Sequence, residues 1–572
     1  MSSSVSRQRI SAGRFPETLT RHLIQVQRDR LPERLWTRRP DVWSADPAHH
    51  AVAANRLGWL DPLPLLRAQR EPLTAWAGQT RPLIREIVLL GMGGSSLAPD
   101  VIARIAAPQD RGLRFTMLDS TDPDSIRALA SRLDPARTLF IVSSKSGATI
   151  ETLSHFAFFY AVVAKARPDP GQAFVAITDP GSHLERLAGE RRFAKVFLNP
   201  PDIGGRYSAL SLFGIVPAAL LGIDLGAVID RVQAMIAACA PDSPTYENPG
   251  LMLGTFLGTA ALGGTDKLTL LASPALRPLG AWIEQLIAES TGKDGKGLVP
   301  VDGEPPGHAD YGTDRCFAAL ALDGEHDPDV EHTLGGLRTT GAPLVEITLP
   351  DRVSLFAEFF KWEVATAVAA ALLRVDPFDE PNVQESKDKT RALLRNIQQH
   401  GTLPTRPPEV YSDRLALWWE AAGMEPTPES VLMSVFAGAR PGMYLALLAY
   451  LDRREDVDEA LARLRRRLGP ALGVPTLVGY GPRYLHSIGQ LYKGGPPSGL
   501  FIVLTADHVE DVPIPGAPYT FGQLETAQAL GDVEALQEHD RPVLRVHLKG
   551  GVVSAIEALE RVADAALASA RD

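Results

Sequence analysis

The stretch TLFIVSSKSGATIETLSHFAFFYAVVA, residues 138–164, decides the fold class of this chain. Its pattern predicts a buried strand over residues 138–142, then a polar loop, then a long apolar helix. The loop contains a group of hydroxyl and ammonium side chains, Ser143, Ser144, Lys145, Ser146 and Thr149. In an open α/β sheet, ligands bind where strands pass into helices, and the free N–H groups of a helix N-terminus attract anions. One Ser or Thr would be enough to cap the helix, so this many donors beside a lysine predicts a phosphate-binding loop.

The size and charge of the chain limit its possible functions. At 572 residues it is too long for one hydrophobic core, so we expect two or three domains. The net charge of −10, without a dense basic run of sequence, argues against a nucleic-acid partner. An anionic substrate must therefore be held by a local cluster of cations.

Cysteine use and the N-terminus predict a cytoplasmic protein. The two cysteines, Cys239 and Cys316, are too few for a disulfide framework or a metal site, which fits a reducing compartment. Residues 1–23 are basic and Ser-rich but lack the apolar segment of a secretory signal. A transit peptide is the alternative to a solvated tail at this end.

The longest apolar run, residues 208–229, has the length of a membrane span. Pro217 and Asp224 lie inside it, together with serines. Because charged residues are costly in a bilayer, the run predicts a buried pair of helices, and we expect no membrane partner.

Strands alternate with helices along most of the chain, which is typical of βαβ units and a parallel sheet. We predict an α/β protein with two doubly wound parallel-sheet subdomains and a further α/β block. The predicted division is an N-terminal helical segment (1–80), a first subdomain (81–245), a second subdomain (246–400) and a C-terminal α/β block (401–572).

A glycine-rich turn, GMGGSS at residues 91–96, follows a predicted strand and opens a helix. A dinucleotide fingerprint would need glycine at Ser96 and an acid about twenty residues further on. Ser96 fails the first test, and Asp119 is somewhat too distant for the second. The turn therefore favours the close approach of a sugar phosphate, with a nicotinamide site as the alternative.

The motif GGRYS, residues 204–208, precedes the buried helix pair. Its glycines permit close backbone approach, and Arg206 is a fixed cation just before an apolar segment. An ordinary structural ion pair is the alternative interpretation of this arginine.

The predicted helix GAWIEQLIAES, residues 280–290, contains a candidate base. Gln285 and Glu289 are four residues apart and share one face. Glu289 is in the last turn, at the negative end of the helix dipole, which makes a carboxylate a better base. A solvated surface glutamate is the alternative, although the Gly- and Lys-rich turn that follows, GKDGKG at residues 292–297, argues against it.

Taken together, the motifs resemble the phosphoglucose isomerase family over roughly residues 85–390. The segments that carry the resemblance are GMGGSS, SSKSGATIET, GGRYS, AESTGK and FDEPNVQESK. The C-terminal runs YGPRYLHSIGQLYKGGP and DVPIPGAPYTFGQLETAQA resemble the isomerase half of bifunctional transaldolase/phosphoglucose isomerase proteins. The resemblance implies two sugar-isomerase (SIS) type subdomains, a homodimer without cofactor or metal, and a hexose 6-phosphate substrate. The implied reaction is the reversible conversion of glucose 6-phosphate into fructose 6-phosphate through a cis-enediol.

The resemblance also implies roles for individual residues. The phosphate would be held by Ser144, Lys145, Ser146 and Thr149. Gly94 and Ser95 would line the sugar, and Gln285 would either contact the sugar or support a residue that does. Glu289 would move the proton between C1 and C2, Arg206 would stabilise the enediolate, and Lys387 would assist ring opening or bind the open chain.

Two departures from the family pattern concern ring opening and phosphate binding. The family's ring-opening histidine normally lies between the catalytic Glu and the Lys motif, in a segment that is not found there; His308 lies in this interval, but in the wrong context. His486, in the run HSIGQL, has the expected context but follows Lys387, and a structural hydrogen bond is its alternative role. Glu380 stands where the family commonly has Gln. Its carboxylate would repel the phosphate unless it forms an ion pair with Lys145 or Lys389, or unless the side chain of Glu380 points away from the phosphate.

Two other classes of function remain as alternatives. A non-catalytic sugar-phosphate sensor would use the same loops but would not need a base at Glu289. A nicotinamide oxidoreductase is the more distant alternative. Dual action on mannose 6-phosphate would depend on details of the pocket.

Overall fold

The computed structural model describes residues 5–44, 46–108, 112–307, 311–403, 406–419 and 426–569. Within these residues the chain divides into two compact units. Unit 1 takes its residues from Met1–Asp119, Leu133–Gly307 and Arg315–Glu380. Unit 2 takes its residues from Ser120–Arg132, His308–Asp314 and Pro381–Asp572.

The strands, in chain order, are β1 (Arg7–Ser11), β2 (Glu86–Gly91), β3 (Arg114–Leu118), β4 (Thr138–Ser143), β5 (Phe174–Thr178), β6 (Lys195–Leu198), β7 (Lys267–Ala272), β8 (Val299–Val301), β9 (Arg315–Leu322), β10 (Leu344–Leu349), β11 (Val410–Tyr411), β12 (Leu415–Trp418), β13 (Tyr444–Tyr450), β14 (Thr476–Tyr480), β15 (Gly499–Ala506) and β16 (Val543–Leu548).

The α-helices are α1 (Pro16–Arg28), α2 (Leu31–Trp36), α3 (Pro47–Ala54), α4 (Leu63–Thr80), α5 (Leu97–Ile105), α6 (Pro123–Arg132), α7 (Ile150–Ala164), α8 (His183–Glu190), α9 (Leu212–Leu221), α10 (Leu225–Cys239), α11 (Pro249–Leu262), α12 (Leu279–Thr291), α13 (Pro328–Thr340), α14 (Leu355–Leu373), α15 (Val383–His400), α16 (Pro428–Phe436), α17 (Glu455–Leu472), α18 (Gly489–Gly494), α19 (Phe521–Glu538) and α20 (Val552–Ser569).

The first sheet of unit 1 has the strand order β3-β2-β4-β5-β6, and its strands pair in parallel. β2, β4 and β5 are buried along their whole length, as expected of strands covered on both faces. The order reverses at the β2/β4 pair, which is the topological switch point where such sheets bind ligands. The predicted doubly wound architecture is therefore confirmed, and β4 passes through a loop into α7 as the sequence indicated.

The second sheet of unit 1 has the order β1-β10-β9-β7-β8. Its strands pair in parallel except for β1, which is antiparallel to β10 at one edge. β1 lies in the segment that the sequence analysis described as helical, so this strand was not predicted. The helices α1 to α4 lie in the rest of that segment.

The apolar run at residues 208–229 forms the predicted helix pair. Every residue of α9 is buried, and Asp224 caps α10 by accepting a hydrogen bond from the N–H of Gly226 at 2.8 Å. Among the residues that the structure describes, no helix is both long enough and apolar enough to span a bilayer.

Unit 2 contains a third sheet with the order β11-β12-β16-β15-β13-β14. β13, β14, β15 and β16 pair in parallel, whereas β11 and β12 continue the sheet in antiparallel fashion. The predicted C-terminal α/β block is confirmed. β11 follows a Pro-rich run of sequence, TLPTRPP at residues 402–408.

Candidate active site

Two loops of unit 1 meet at the switch point of its first sheet. Gly91, at the end of β2, is aligned with Ser143, at the end of β4. The hydroxyl of Ser143 donates a hydrogen bond to the carbonyl of Ser95 at 2.8 Å. The glycine-rich turn and the predicted phosphate loop are therefore joined directly.

The phosphate loop is ordered by its own side chains. Ser144 Oγ lies 3.0 Å from Thr149 Oγ1 and accepts a hydrogen bond from the N–H of Gly147 at 3.1 Å. Ser146 Oγ accepts one from the N–H of Ala148 at 3.3 Å. Thr149 is the N-cap residue of α7, yet its side chain makes no capping bond to the helix. Capping alone thus does not explain the hydroxyl groups in the loop.

Lys145 is held by a partner that the sequence analysis missed. Its ammonium group pairs with the carboxylate of Asp179, at the end of β5, and donates to the carbonyl of Pro201 at 3.0 Å. Burial raises the pKa of Asp179, and the pairing with Lys145 opposes that shift. The pair fixes the ammonium group beside the loop, and the side chain of Lys145 remains about one-fifth exposed (21%).

The turn that contains Gly94 packs against the turn that contains Arg206. A Cβ atom on Gly94 would lie 2.1 Å from the carbonyl oxygen of Gly205, so only glycine fits there. Ser208 Oγ also donates to the carbonyl of Gly94 at 3.3 Å. The close approach that the glycines of both motifs predicted is therefore between the two turns themselves.

Arg206 is the central cation of the site, in a short 3₁₀ turn at Gly205–Tyr207. Its side chain is 5% exposed. Its Nε and Nη2 donate to the carbonyl of Pro377 at 3.1 and 2.7 Å, and Nη2 also donates to the carbonyl of Asp379 at 2.8 Å. Burial opposes its charge, but two adjacent carboxylates outweigh burial and raise the pKa of the guanidinium. Arg206 is thus a fixed, permanently charged group.

Those carboxylates belong to Glu289 and Glu380. Glu289 is in the last turn of α12 and is 7% exposed, so the alternative of a solvated surface glutamate is wrong. Glu289 Oε2 lies 3.5 Å from Arg206 Nη1 and accepts a hydrogen bond from Gln285 Nε2 at 3.3 Å. The structure therefore brings together the buried carboxylate, the buried guanidinium and the amide predicted from the sequence.

Glu380 is paired, but with neither of the lysines considered from the sequence. Its Oε2 lies 2.9 Å from Arg206 Nη1, whereas Lys145 pairs with Asp179, and Lys389, in unit 2, pairs with Glu538. The residue before it, Asp379, pairs with a third cation, Lys293 of the AESTGK motif, at 2.8 Å. Burial, and then the charge of Arg206, lower the pKa of Lys293 to about 8.

The remaining predicted residues, Lys387 and His486, belong to unit 2. Lys387 is exposed in the first half of α15, and His486 is partly buried in a 3₁₀ turn at Arg483–His486. An amide pair joins the two segments: the N–H of Asn382 donates to Gln490 Oε1 at 3.0 Å, and Gln490 Nε2 donates to Asn382 Oδ1 at 2.8 Å. His308 lies outside the described residues.

Sequence reasoning missed several partners of the site residues, namely Asp179, Ser290, Lys293, Asn382 and Gln490. Ser290 accepts a hydrogen bond from Arg206 Nε at 3.0 Å. Ser290 and Lys293 lie in AESTGK, and Asn382 and Gln490 lie in FDEPNVQESK and HSIGQL. The motifs could thus have suggested these four, whereas Asp179 lies in none of them.

Comparisons with known proteins give a family match and named relatives. Residues 68–312 match the family model described as phosphoglucose isomerase. The chain is 30% identical to a glucose-6-phosphate isomerase of Thermus thermophilus, over 66% of this chain and 97% of the relative. It is also 30% identical to one of Rubrobacter xylanophilus, over 54% of this chain and 82% of the relative.

Solved structures show the same fold. A hypothetical protein from Thermus thermophilus has a TM-score of 0.58 at 27% identity, covering 68% of this chain and 99% of its own. A glucose-6-phosphate isomerase of Chlamydia trachomatis has a TM-score of 0.55 at 16% identity, covering 70% and 90%.

Proposed function

Because this chain belongs to the phosphoglucose isomerase family, we propose that Glu289 is the base of its reaction. The chain is an aldose–ketose isomerase that interconverts glucose 6-phosphate and fructose 6-phosphate. Such a reaction needs a carboxylate that can remove and return a proton beside a group that stabilises negative charge. The observation that supports the assignment is the buried Glu289 carboxylate, 3.5 Å from the buried Arg206 guanidinium.

In the proposed mechanism, Glu289 takes the proton from C2 of open-chain glucose 6-phosphate. The electrons of the broken C–H bond form the C1–C2 double bond, and the former carbonyl oxygen carries the negative charge of the cis-enediolate. Glu289 returns the proton to C1 while the O2 hydroxyl proton passes to O1, which leaves the carbonyl at C2. Arg206 stabilises the charged intermediate, and the carbonyl groups of Pro377 and Asp379 hold its guanidinium in place beforehand.

The substrate phosphate is assigned to the loop at the N-terminus of α7. Ser144, Lys145, Ser146 and Thr149 supply hydroxyl and ammonium donors there, and the helix N-terminus favours an anion. Gly94 and Ser95 are assigned to the sugar because their turn is joined to this loop. Gln285 donates to Glu289, so we assign it to orienting the base and contacting the sugar.

Ring opening is assigned to Lys387 and His486. Their segments are joined by the Asn382–Gln490 amide pair, which supports a common task. His308 is the alternative acid or base for this step. Glu380 is assigned to the sugar-binding side of Arg206, where its pairing with the guanidinium compensates its negative charge.

A coupled assay tests the base assignment. Fructose 6-phosphate is supplied, and the glucose 6-phosphate formed is measured through its dehydrogenase. We expect Glu289→Gln to lose isomerisation while fructose 6-phosphate still raises its melting temperature. The control is Glu284→Gln on the same helix, because five residues place its side chain on a different face of α12.

The outcomes separate the candidate functions. Normal turnover by Glu289→Gln would refute the base assignment. If the wild type bound the sugar phosphate without turnover, the sensor would be favoured, because a sensor needs no base.

For the whole chain, we propose a cytoplasmic homodimer. A phosphorylated hexose is charged and does not cross a membrane unaided, so its isomerase belongs where the sugar is made. We further propose that residues 401–572 correspond to the end of the isomerase half of bifunctional transaldolase/phosphoglucose isomerase proteins. We also propose that the chain is divided into the four parts predicted from the sequence, residues 1–80, 81–245, 246–400 and 401–572. Light scattering in solution tests the dimer.

A further inference from the structure

Unit 2 contains a buried carboxylate for which the proposed reaction has no use. Asp532, in α19, has a side-chain exposure of 0%. Its Oδ1 lies 2.7 Å from Lys493 Nζ and accepts a hydrogen bond from Ser386 Oγ at 3.0 Å. Its Oδ2 accepts one from the hydroxyl of Tyr484 at 2.6 Å.

The partners of Asp532 come from the two segments that carry the ring-opening candidates. Ser386, on α15, immediately precedes Lys387. Tyr484 lies two residues before His486, in the same 3₁₀ turn, and Lys493 lies in α18, which follows that turn. The carboxylate of Asp532 therefore contacts both segments, which the Asn382–Gln490 amide pair also joins.

Stability alone is a weak reason for such an arrangement. Burying two opposite charges costs about as much as their attraction returns, so a buried ion pair adds little net stability. Its value lies in fixed geometry, since each oxygen of Asp532 has hydrogen-bond donors from defined directions. Burial, and then the charge of Asp532, raise the pKa of Tyr484 far above its usual range, so its hydroxyl remains a donor.

We propose that Asp532 is a positioning residue that holds the Lys387 and His486 segments in the register needed to open the sugar ring. This proposal rests on the roles assigned to Lys387 and His486 above. Asp532 acts through those segments and does not touch the substrate. Ring opening requires an acid and a base at fixed positions on one sugar, and a displacement of about 1 Å can lower such a rate about a hundredfold.

The test measures ring opening separately from proton transfer. Enzyme-catalysed exchange between the α and β anomers of glucose 6-phosphate, followed by NMR exchange spectroscopy, requires ring opening but no transfer between C1 and C2. The variants are Asp532→Asn, Ser386→Ala and Tyr484→Phe, with Ser386→Thr as the conservative variant that keeps the hydroxyl. Tyr450→Phe is the matched control, because it removes a buried hydroxyl 3.1 Å from that of Tyr484 but leaves the contacts of Asp532 in place.

We expect the three variants to lower anomer exchange and isomerisation together, about tenfold or more, with little change in KM. Ser386→Thr and Tyr450→Phe should stay within about twofold of wild type. Glu289→Gln should lose isomerisation and keep anomer exchange. If Asp532→Asn does not fold, Ser386→Ala provides the test, because it removes one hydrogen bond with an uncharged donor and leaves the ion pair intact.

Wild-type anomer exchange in folded Ser386→Ala and Tyr484→Phe would overturn the positioning role. Equal losses in Tyr450→Phe and Tyr484→Phe would also overturn it, since they would indicate a general loosening of the core. Failure of the proposed function would look different, because the wild type itself would then not isomerise fructose 6-phosphate.

Discussion

Replacing Arg206 by lysine separates the charge of this residue from its geometry. The guanidinium makes five hydrogen bonds, to Ser290, twice to Pro377, to Asp379 and to Glu380. An ammonium group has three protons, so at least two of these bonds are lost in Arg206→Lys. At about 1.5 to 3 kcal/mol for each hydrogen bond of a charged group, the variant loses about 3 to 6 kcal/mol of stability.

Catalysis should be impaired as well as stability. The lysine keeps the positive charge, but it cannot reproduce the planar group that lies beside Glu289. Removing one preorganised donor from a site that stabilises an anion costs about a hundredfold to a thousandfold in kcat. We therefore expect kcat to fall about a hundredfold while KM changes much less, because the donor acts on charge that develops in the transition state.

The coupled isomerase assay and a thermal melt measure the two effects on the same samples. Arg315→Lys is the control, because this equally buried arginine pairs with Glu304 in unit 1 and should lose comparable stability with little loss of kcat. Melting temperatures are compared only with this control, since a chain of two units need not unfold in one step. If Arg206→Lys kept kcat within about threefold of wild type, the role assigned to Arg206 would be refuted.

The other predictions concern two lysines of unit 1. Lys145→Ala should raise KM several-fold more than it lowers kcat, because phosphate contacts act in the ground state and the transition state alike; an unchanged KM in the coupled assay would contradict the phosphate assignment. The pKa of Lys293 is lowered to about 8 in the folded protein, whereas a lysine in the unfolded chain has a pKa of about 10.4. Between these two pH values the unfolded chain therefore binds more protons than the folded protein. The free energy of unfolding accordingly increases as the pH rises through this range. The melting temperature of wild type relative to Lys293→Met should therefore increase from pH 8 to pH 10, and a constant difference would show that the lysine is not desolvated as described.

The sequence predicted the parallel sheets well because burial on both faces leaves a clear pattern. β2, β4 and β5 are short, continuous apolar runs, each followed by a polar or glycine-rich turn. β1 was missed because its residues, RQRIS, are partly exposed and mostly polar. An edge strand of this kind is defined by its partner, β10, rather than by its own composition.

Candidate site residues could be named one by one from the sequence, but the contacts between them could not. The motifs identified Arg206 and Glu289, and the structure places them 3.5 Å apart. The pairing of Glu380 with Arg206 joins residues 174 positions apart, and no local pattern encodes such a contact. The resemblance assigned roles to positions, whereas the hydrogen bonds that orient the side chains depend on tertiary packing.

The contact between the Gly94 and Gly205 turns has a consequence for biosynthesis. The last strand of the first sheet, β6, ends at Leu198, so all five strands have been synthesised once that residue has left the ribosome. The close approach of Gly94 to Gly205 comes slightly later, and the carbonyl groups of Pro377 and Asp379 that fix Arg206 come much later still. Contacts between distant parts of a chain form slowly, so a nascent chain should acquire its phosphate loop well before it has a working base and cation. On the roles proposed for these residues, the parts assigned to binding would assemble before the parts assigned to chemistry.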